Sequence, residues 1–210
     1  KYFKKAISLK SNYSEAYSNI GVSLQALGKF DKAIDAYKKS ISLNPNSAEA
    51  YSNMGVSLQA LGKLDKAIDA HKKSILLEPD YAEAHQNLSF AFLSSGEIRK
   101  GLEEYEWRWK TKKYLSRKIK FTKPMWDGKK DLKGRTVLLW CEQGVGDTIK
   151  WSSFLSLVNS KAKHCILACS EKLIPLLRRT YSDIEIVSEN QYLASEKFDY
   201  DFHIPMGSLY

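Results

Sequence analysis

"SEAYSNIGVSLQALGKFDKAIDAYKKSISLNPNS", Ser14 to Ser47, is followed at once by "AEAYSNMGVSLQALGKLDKAIDAHKKSILLEPDY", Ala48 to Tyr81, and the two are identical at 26 of 34 positions. A chain that repeats itself at this period builds the same unit again and again, and each unit buries its apolar face against its neighbours. Apolar residues recur three and four apart on either side of Gly28 and Gly62, which predicts two amphipathic helices per unit with a glycine turn between them. Pro45 and Pro79 close the units, since proline cannot continue a helix.

Several positions are specific. Tyr17 and Tyr51 hold a large aromatic site, Gly21 and Gly55 a small site where helices cross closely, Ala33 and Ala67 the small site of the second helix, and Tyr37 and His71 its later bulky site. With the 34-residue period this pattern resembles the tetratricopeptide repeat. Residues 1–13 match the end of an earlier unit, with Phe3 in register with Tyr37. A third unit, 82–115, keeps Asn87, Gly96 and Tyr105 but drifts into "GLEEYEWRWK", and Lys113 stands where the closing proline belongs. It reads as a capping unit, with Trp107 and Trp109 covering the apolar face or docking the next domain. His71 and His85 replace tyrosines of the pattern and are expected to be packed, not catalytic.

Asn19, Asn53 and Asn87 recur on the first helix of each unit, the helix that lines the concave face of such arrays. A row of amides offers donors and acceptors to the backbone of an extended peptide with little regard for its sequence. The repeats of O-GlcNAc transferase, written Asn-Leu-Gly where this chain has "SNIG", "SNMG" and "QNLS", look similar here. Duplication of the unit alone would also produce the periodicity.

The formal net charge is +9, yet residues 108–135 alone carry twelve Lys or Arg against Asp127 and Asp131. The basicity is local to a junction, which argues against a nucleic-acid-binding domain and leaves a solvated linker or an anionic membrane surface or glycolipid as readings. No run of about 18 apolar residues and no signal-peptide pattern is present. Cys141, Cys165 and Cys169 form no metal-ligand spacing, and a reducing, cytoplasmic setting is the plain expectation. The chain opens on "KYFKKAISLK" without an initiator Met and stops at "MGSLY", so it reads as a fragment of a longer protein.

After the junction, "TVLLWCE" (136–142), "HCILAC" (164–169), "IEIVS" (184–188) and "YDFHI" (200–204) read as short buried strands, with helices expected over 148–160 and 173–180. Strands alternating with helices imply a parallel sheet, whose ligands bind beyond the carboxyl ends of the strands. "EQGVGDT" is the first such turn. Gly144 and Gly146 let the backbone pass close to a ligand, and the amides that open the helix favour an anion or an oxygen-rich substrate. As a dinucleotide fingerprint the turn fails, because Ile149 stands where a third glycine belongs; the phosphate-loop pattern fails for want of a Gly-Lys-Ser/Thr ending.

"PMWDG" followed by "DLKGRTVLLWCEQGVGDTIKWSSFL" is similar to the segment that joins tetratricopeptide repeats to a heptosyltransferase-like glycosyltransferase in many bacterial proteins. The resemblance implies an α-helical repeat solenoid over 1–115, a basic linker over 116–135, and over 136–210 a partial Rossmann-like parallel α/β domain, the first part of a GT-B fold. It further implies Asp147 as general base, Gly144, Val145, Gly146 and Thr148 as the acceptor-side substrate contacts, a nucleotide sugar as donor, and no metal or other cofactor. Asp147 is also placed to be a helix N-cap. Glu142 and Lys150 read either as groups that orient substrate or, more plainly, as exposed strand-end and helix-face charges, and His164 and His203 are expected as core or loop residues. The alternative is a non-catalytic repeat scaffold for protein–protein interaction.

Overall fold

The computed structural model describes residues 13–115, 121–190 and 198–209. Apart from Tyr13, the partial unit expected at 1–13 lies outside them, as do 116–120 of the expected linker. The chain forms two compact units, Lys1–Arg117 and Lys118–Tyr210.

The first unit is helical: α1 (Ser14–Ala26), α2 (Phe30–Leu43), α3 (Ala48–Ala60), α4 (Leu64–Leu77), α5 (Ala82–Ser95) and α6 (Ile98–Tyr105), then a 3-10 turn (Glu106–Lys110) and the short α7 (Lys112–Leu115). Gly28 and Gly62 turn the chain at φ of +69° and +71°, a backbone that a side chain would strain. The two helices of each pair cross where one of them has no side chain. A Cβ on Gly21 would sit 2.5 Å from the ring of Tyr37, and one on Gly55 would sit 2.6 Å from the ring of His71. The third pair solves the same problem in reverse. Ser89 stands at the glycine position, while Gly101 replaces the alanine of α2 and α4, and a Cβ there would meet Leu93 at 2.7 Å.

Hydroxyls tie the pairs together. Ser40 donates to the Ser14 carbonyl at 2.9 Å and Ser74 to the Ala48 carbonyl at 2.8 Å, so the second helix is fastened to the start of the first. Gln25 Oε1 accepts from Tyr37 at 3.0 Å and from Ser57 of the next pair at 3.1 Å. One pair further on, His71 and Ala91 occupy the positions of those two donors and neither donates, and the junction is instead an apolar cluster of Ile68, Leu88, Ala91 and Phe92. His71 is fully buried, and among the described residues neither of its ring nitrogens has a hydrogen-bond partner. At the end of the array His85 stacks on Trp107 with ring centroids 3.6 Å apart. Its ring nitrogens are held by the Glu104 carboxylate at 2.6 Å and the Pro79 carbonyl at 2.9 Å. Arg108, also fully buried, lies against the rings of Tyr105 and Trp109 at 4.3 and 4.4 Å. Both histidines are therefore packed, as expected.

The second unit is a four-stranded parallel sheet, β1 (Thr136–Trp140), β2 (His164–Cys169), β3 (Glu185–Ser188) and β4 (Phe202–Pro205), in the order β3-β2-β1-β4. Val137, Leu138 and Leu139 are fully buried, as are Cys165 and Leu167, which is what a parallel sheet covered on both faces requires. Helices α8 (Val145–Ser152) and α9 (Leu155–Asn159) follow β1, and α10 (Ile174–Thr180) follows β2. The single helix expected over 148–160 is thus two, starting three residues earlier and broken at Ser153 and Phe154. Part of the expected linker also belongs to the sheet. His203 donates its backbone N–H to Pro124, Trp126 donates to the His203 carbonyl, and Met125 bridges to His203 in parallel along the edge of β4.

His71 carries a testable consequence. Burial lowers its pKa from 6.5 to about 4, so between those values the unfolded chain takes up a proton that the folded chain refuses. Stability is full above about pH 6.5 and falls as pH drops toward 4, by about 3 kcal/mol over the whole range. His71→Tyr, which copies the Gly21–Tyr37 crossing, should raise stability at pH 7 by about 1 kcal/mol and flatten its loss between pH 7 and 5. Urea unfolding followed by far-UV circular dichroism at both pH values checks this, and an unchanged pH dependence refutes it.

Candidate functional site

Two places bring together side chains or backbone groups that the core does not consume. The first is the solvent face of α1, α3 and α5. At 3.6 residues per turn, positions separated by four, three and four residues fall within one narrow arc of a helix. That arc holds Glu15, Asn19, Val22 and Ala26 on α1, and Glu49, Asn53, Val56 and Ala60 on α3. On α5 it holds Glu83, Asn87, Phe90 and Ser94. The asparagines do form a row, but not of equal rungs. Asn19 is exposed, Asn53 and Asn87 are half-buried, and the Asn87 amide donates to Ser52 of the preceding pair at 3.3 Å. Beside the row runs a second one missed from the sequence, in which Val22 and Phe90 are 45% and 42% exposed and Val56 half-buried. The signal was available, because Val22, Val56 and Phe90 recur at the same 34-residue spacing.

Away from that arc, a groove of about 510 Å³ lies between α2 and α4, with Met54 and Leu58 of α3 among its lining residues. Lysines and aspartates alternate around it, and Lys63 pairs with Asp31 at 3.3 Å. Its mixed charge gives it no preference for either sign of ligand.

The second place is the turn from β1 into α8. Gly144 is the N-cap, with φ −74° and ψ 175°, and no side chain caps the helix. Its carbonyl accepts both the Thr148 N–H at 3.0 Å and the Thr148 hydroxyl at 3.1 Å, which is why the helix begins at Val145 and not at Thr148. Asp147 therefore sits at the third helical position, where a carboxylate favours the positive end of the helix without capping it, and the N-cap expectation is corrected. Thr148 is buried and shapes the turn with its hydroxyl. Gly144 and Gly146 both have open space where a Cβ would go, and Val145 is 44% exposed. The N–H groups of Val145, Gly146 and Asp147 are first-turn donors with no acceptor inside the helix. Val145 and Gly146 are exposed and Asp147 is half-buried.

Glu142 departs most from expectation. Far from being an exposed strand-end charge it is 1% exposed, and its Oε1 accepts the Gly207 N–H at 3.0 Å. This bond fastens the end of β1 to the turn after β4. Lys150 is exposed, with its ammonium 4.7 Å from the ring of Trp151. His203 is a core residue that accepts the Trp140 indole N–H at 3.2 Å, and its burial lowers its pKa to about 4. His164 faces Glu185 across β2 and β3 at 2.9 Å. Burial pushes the Cys141 thiol up to about 12 and those of Cys165 and Cys169 to about 11, so none is poised as a nucleophile. Among the described residues no cluster of His, Cys, Asp and Glu could hold a metal ion, and no helix is long and apolar enough to cross a membrane.

Comparison with known proteins bears on the helical unit. The tetratricopeptide repeat family model matches residues 14–47 and 48–81. A crystal structure of MamA is 32% identical with a TM-score of 0.48, covering 53% of this chain and 65% of its own. The Sgt2 TPR domain from Aspergillus fumigatus is 26% identical with a TM-score of 0.44, covering 45% of this chain and 62% of its own. The first TPR of Spaghetti (RPAP3), bound to the HSP90 peptide SRMEEVD, is 21% identical with a TM-score of 0.45, covering 46% of this chain and 77% of its own. The chain thus spans less than two thirds of the MamA and Sgt2 structures. None of the curated proteins matches it. Residues 14–47 and 48–81 are tetratricopeptide repeats, a helical module that mediates protein–protein interaction.

Proposed function

We propose that the helical unit is a peptide-binding module and that an extended segment of a partner protein lies across the solvent face of α1, α3 and α5, its backbone against Asn19, Asn53 and Asn87. The observation that carries this reading is the coincidence of two rows on one face. Amides that can both donate and accept are flanked in three successive units by apolar side chains, two of them, Val22 and Phe90, exposed and Val56 half-buried. A helical array presents such a face without moving, so little ordering cost falls on the protein when the peptide binds.

Replacing Asn19, Asn53 and Asn87 together with Ala should weaken binding of a display-selected peptide by at least tenfold, the equivalent of about 1.4 kcal/mol. The helix content should be unchanged, and the stability loss should stay near the ~1 kcal/mol of the Asn87–Ser52 bond. Fluorescence anisotropy and thermal unfolding make the two measurements. Unaltered affinity would remove the amide row from the site.

A second reading concerns the α/β unit, and a specific observation favours it. The "GVGDT" turn lies at the carboxyl end of β1, and β1 is flanked by β2 on one side and β4 on the other, the position where open parallel sheets bind ligands. On this reading the turn is the acceptor side of a sugar-transfer site. Asp147 accepts the proton of the acceptor hydroxyl as that oxygen attacks the anomeric carbon of a nucleotide sugar, and the nucleoside diphosphate leaves. The free amides of Val145 and Gly146 hold an oxygen of the acceptor. Asp147→Asn removes the base but keeps the shape, so turnover of a donor found by panel screening should fall about 10²- to 10⁴-fold. Unfolding should shift little, because no cap bond is lost. Turnover equal to the parent's would exclude Asp147 as the base.

A further inference from the structure

The helices that form the peptide face differ in charge from those behind them. α1, α3 and α5 contain no lysine or arginine, and on their shared exposed arc each carries one glutamate: Glu15, Glu49 and Glu83. α2 and α4 each carry three lysines and two aspartates. The three glutamates stand at the N-terminal end of their helices, the asparagines one turn further on, and Val22, Val56 and Phe90 one turn beyond. Along the array the face is therefore three parallel rows, acidic, amide and apolar, with the amides in the middle. No lysine or arginine of these helices balances the acidic row.

The spacing of the rows limits what can lie along them. Packed helices stand about 8–10 Å apart, so like residues on successive first helices recur at roughly that interval. A β-conformation peptide alternates sides every residue and falls out of step. A polyproline II segment has three residues per turn at about 3.1 Å each, so it repeats about every 9 Å and shows the same edge to every unit. Its backbone makes no internal hydrogen bonds, leaving its carbonyls and N–H groups for the asparagine amides.

We propose that the face takes a cationic polyproline II segment with a lysine or arginine at every third residue, one to each glutamate, and a small apolar residue at the next position in each triplet, facing Val22, Val56 and Phe90. The remaining position of each triplet points to solvent. This assignment rests on the peptide-binding reading above and adds the charge and the period of the partner. The three ion pairs lie at the protein surface, so each adds little by itself and their sum is salt-dependent.

The test uses the whole chain and three labelled nonapeptides in fluorescence anisotropy: three Lys-Pro-Ser triplets, three Glu-Pro-Ser triplets, and the residues of the first with the lysines gathered at one end. The Lys-Pro-Ser peptide should bind more tightly than both others, and its affinity should fall as salt rises. Glu15→Gln, Glu49→Gln and Glu83→Gln combined should weaken it about tenfold while circular dichroism stays unchanged. Equal binding of the two lysine peptides would overturn the three-residue period, and insensitivity to the Gln substitutions would overturn the acidic row. If a display-selected peptide still loses affinity on asparagine replacement while the lysine peptides do not bind, the peptide face stands and this partner chemistry falls. If asparagine replacement affects no peptide, both fall.

Discussion

The helical unit depends on one steric condition: within each of the first two pairs the helices approach until an aromatic or imidazole ring of one lies against the backbone of the other. That requires a missing side chain at the crossing, supplied by Gly21 under Tyr37 and Gly55 under His71. The rest of the unit is a consequence of that approach. The serine bonds to the Ser14 and Ala48 carbonyls reach only because the pair is tight, and α1 and α3 turn the same arc outward because their pairs cross in the same way. The face proposed to bind a peptide is in this sense a by-product of how the pairs pack.

Repetition made the helical part legible. Two copies that agree at 26 of 34 positions show by their agreement which residues the fold uses, and the helices lie on either side of Gly28 and Gly62 as that pattern requires. The four strands were legible for another reason, since short runs such as "TVLLW" and "HCILAC" have nowhere to go but a buried sheet. The start of α8 was not. Its N-cap is a glycine with no side chain to announce it, and the polar residues at 147 and 148 drew the boundary too far along. Nor could the sequence reveal that Glu142 is buried, because its partner is a backbone N–H 65 residues away. The pairing of 124–126 with β4 was hidden in the same way, under a run of lysines that reads as linker.

The candidate faces differ in how they were seen. The asparagine row stood out because a polar residue repeated at a helical position suggests recognition. The glutamate and apolar rows, just as periodic, look like ordinary surface until burial shows that Val22 and Phe90 remain in water beside them. For the turn after β1, the chemistry of the residue types was legible and their direction was not: Asp147 stays half-buried beside open backbone, while Thr148 turns inward to the Gly144 carbonyl.

The exchange of small residues in the third pair constrains how such an array can be rebuilt. In the first two pairs the glycine is on the first helix and the alanine on the second; in the third, Ser89 and Gly101 reverse the arrangement. Recombining α5 with α2 or α4 would press Ser89 against the ring of Tyr37 or His71, where the first two pairs have glycine, and Leu93 against an alanine β-carbon where its own partner has Gly101. Genetic shuffling of this chain can therefore exchange helices between the first two pairs but can move the third only as a whole pair, so there the crossing, and not the helix, is the inherited unit.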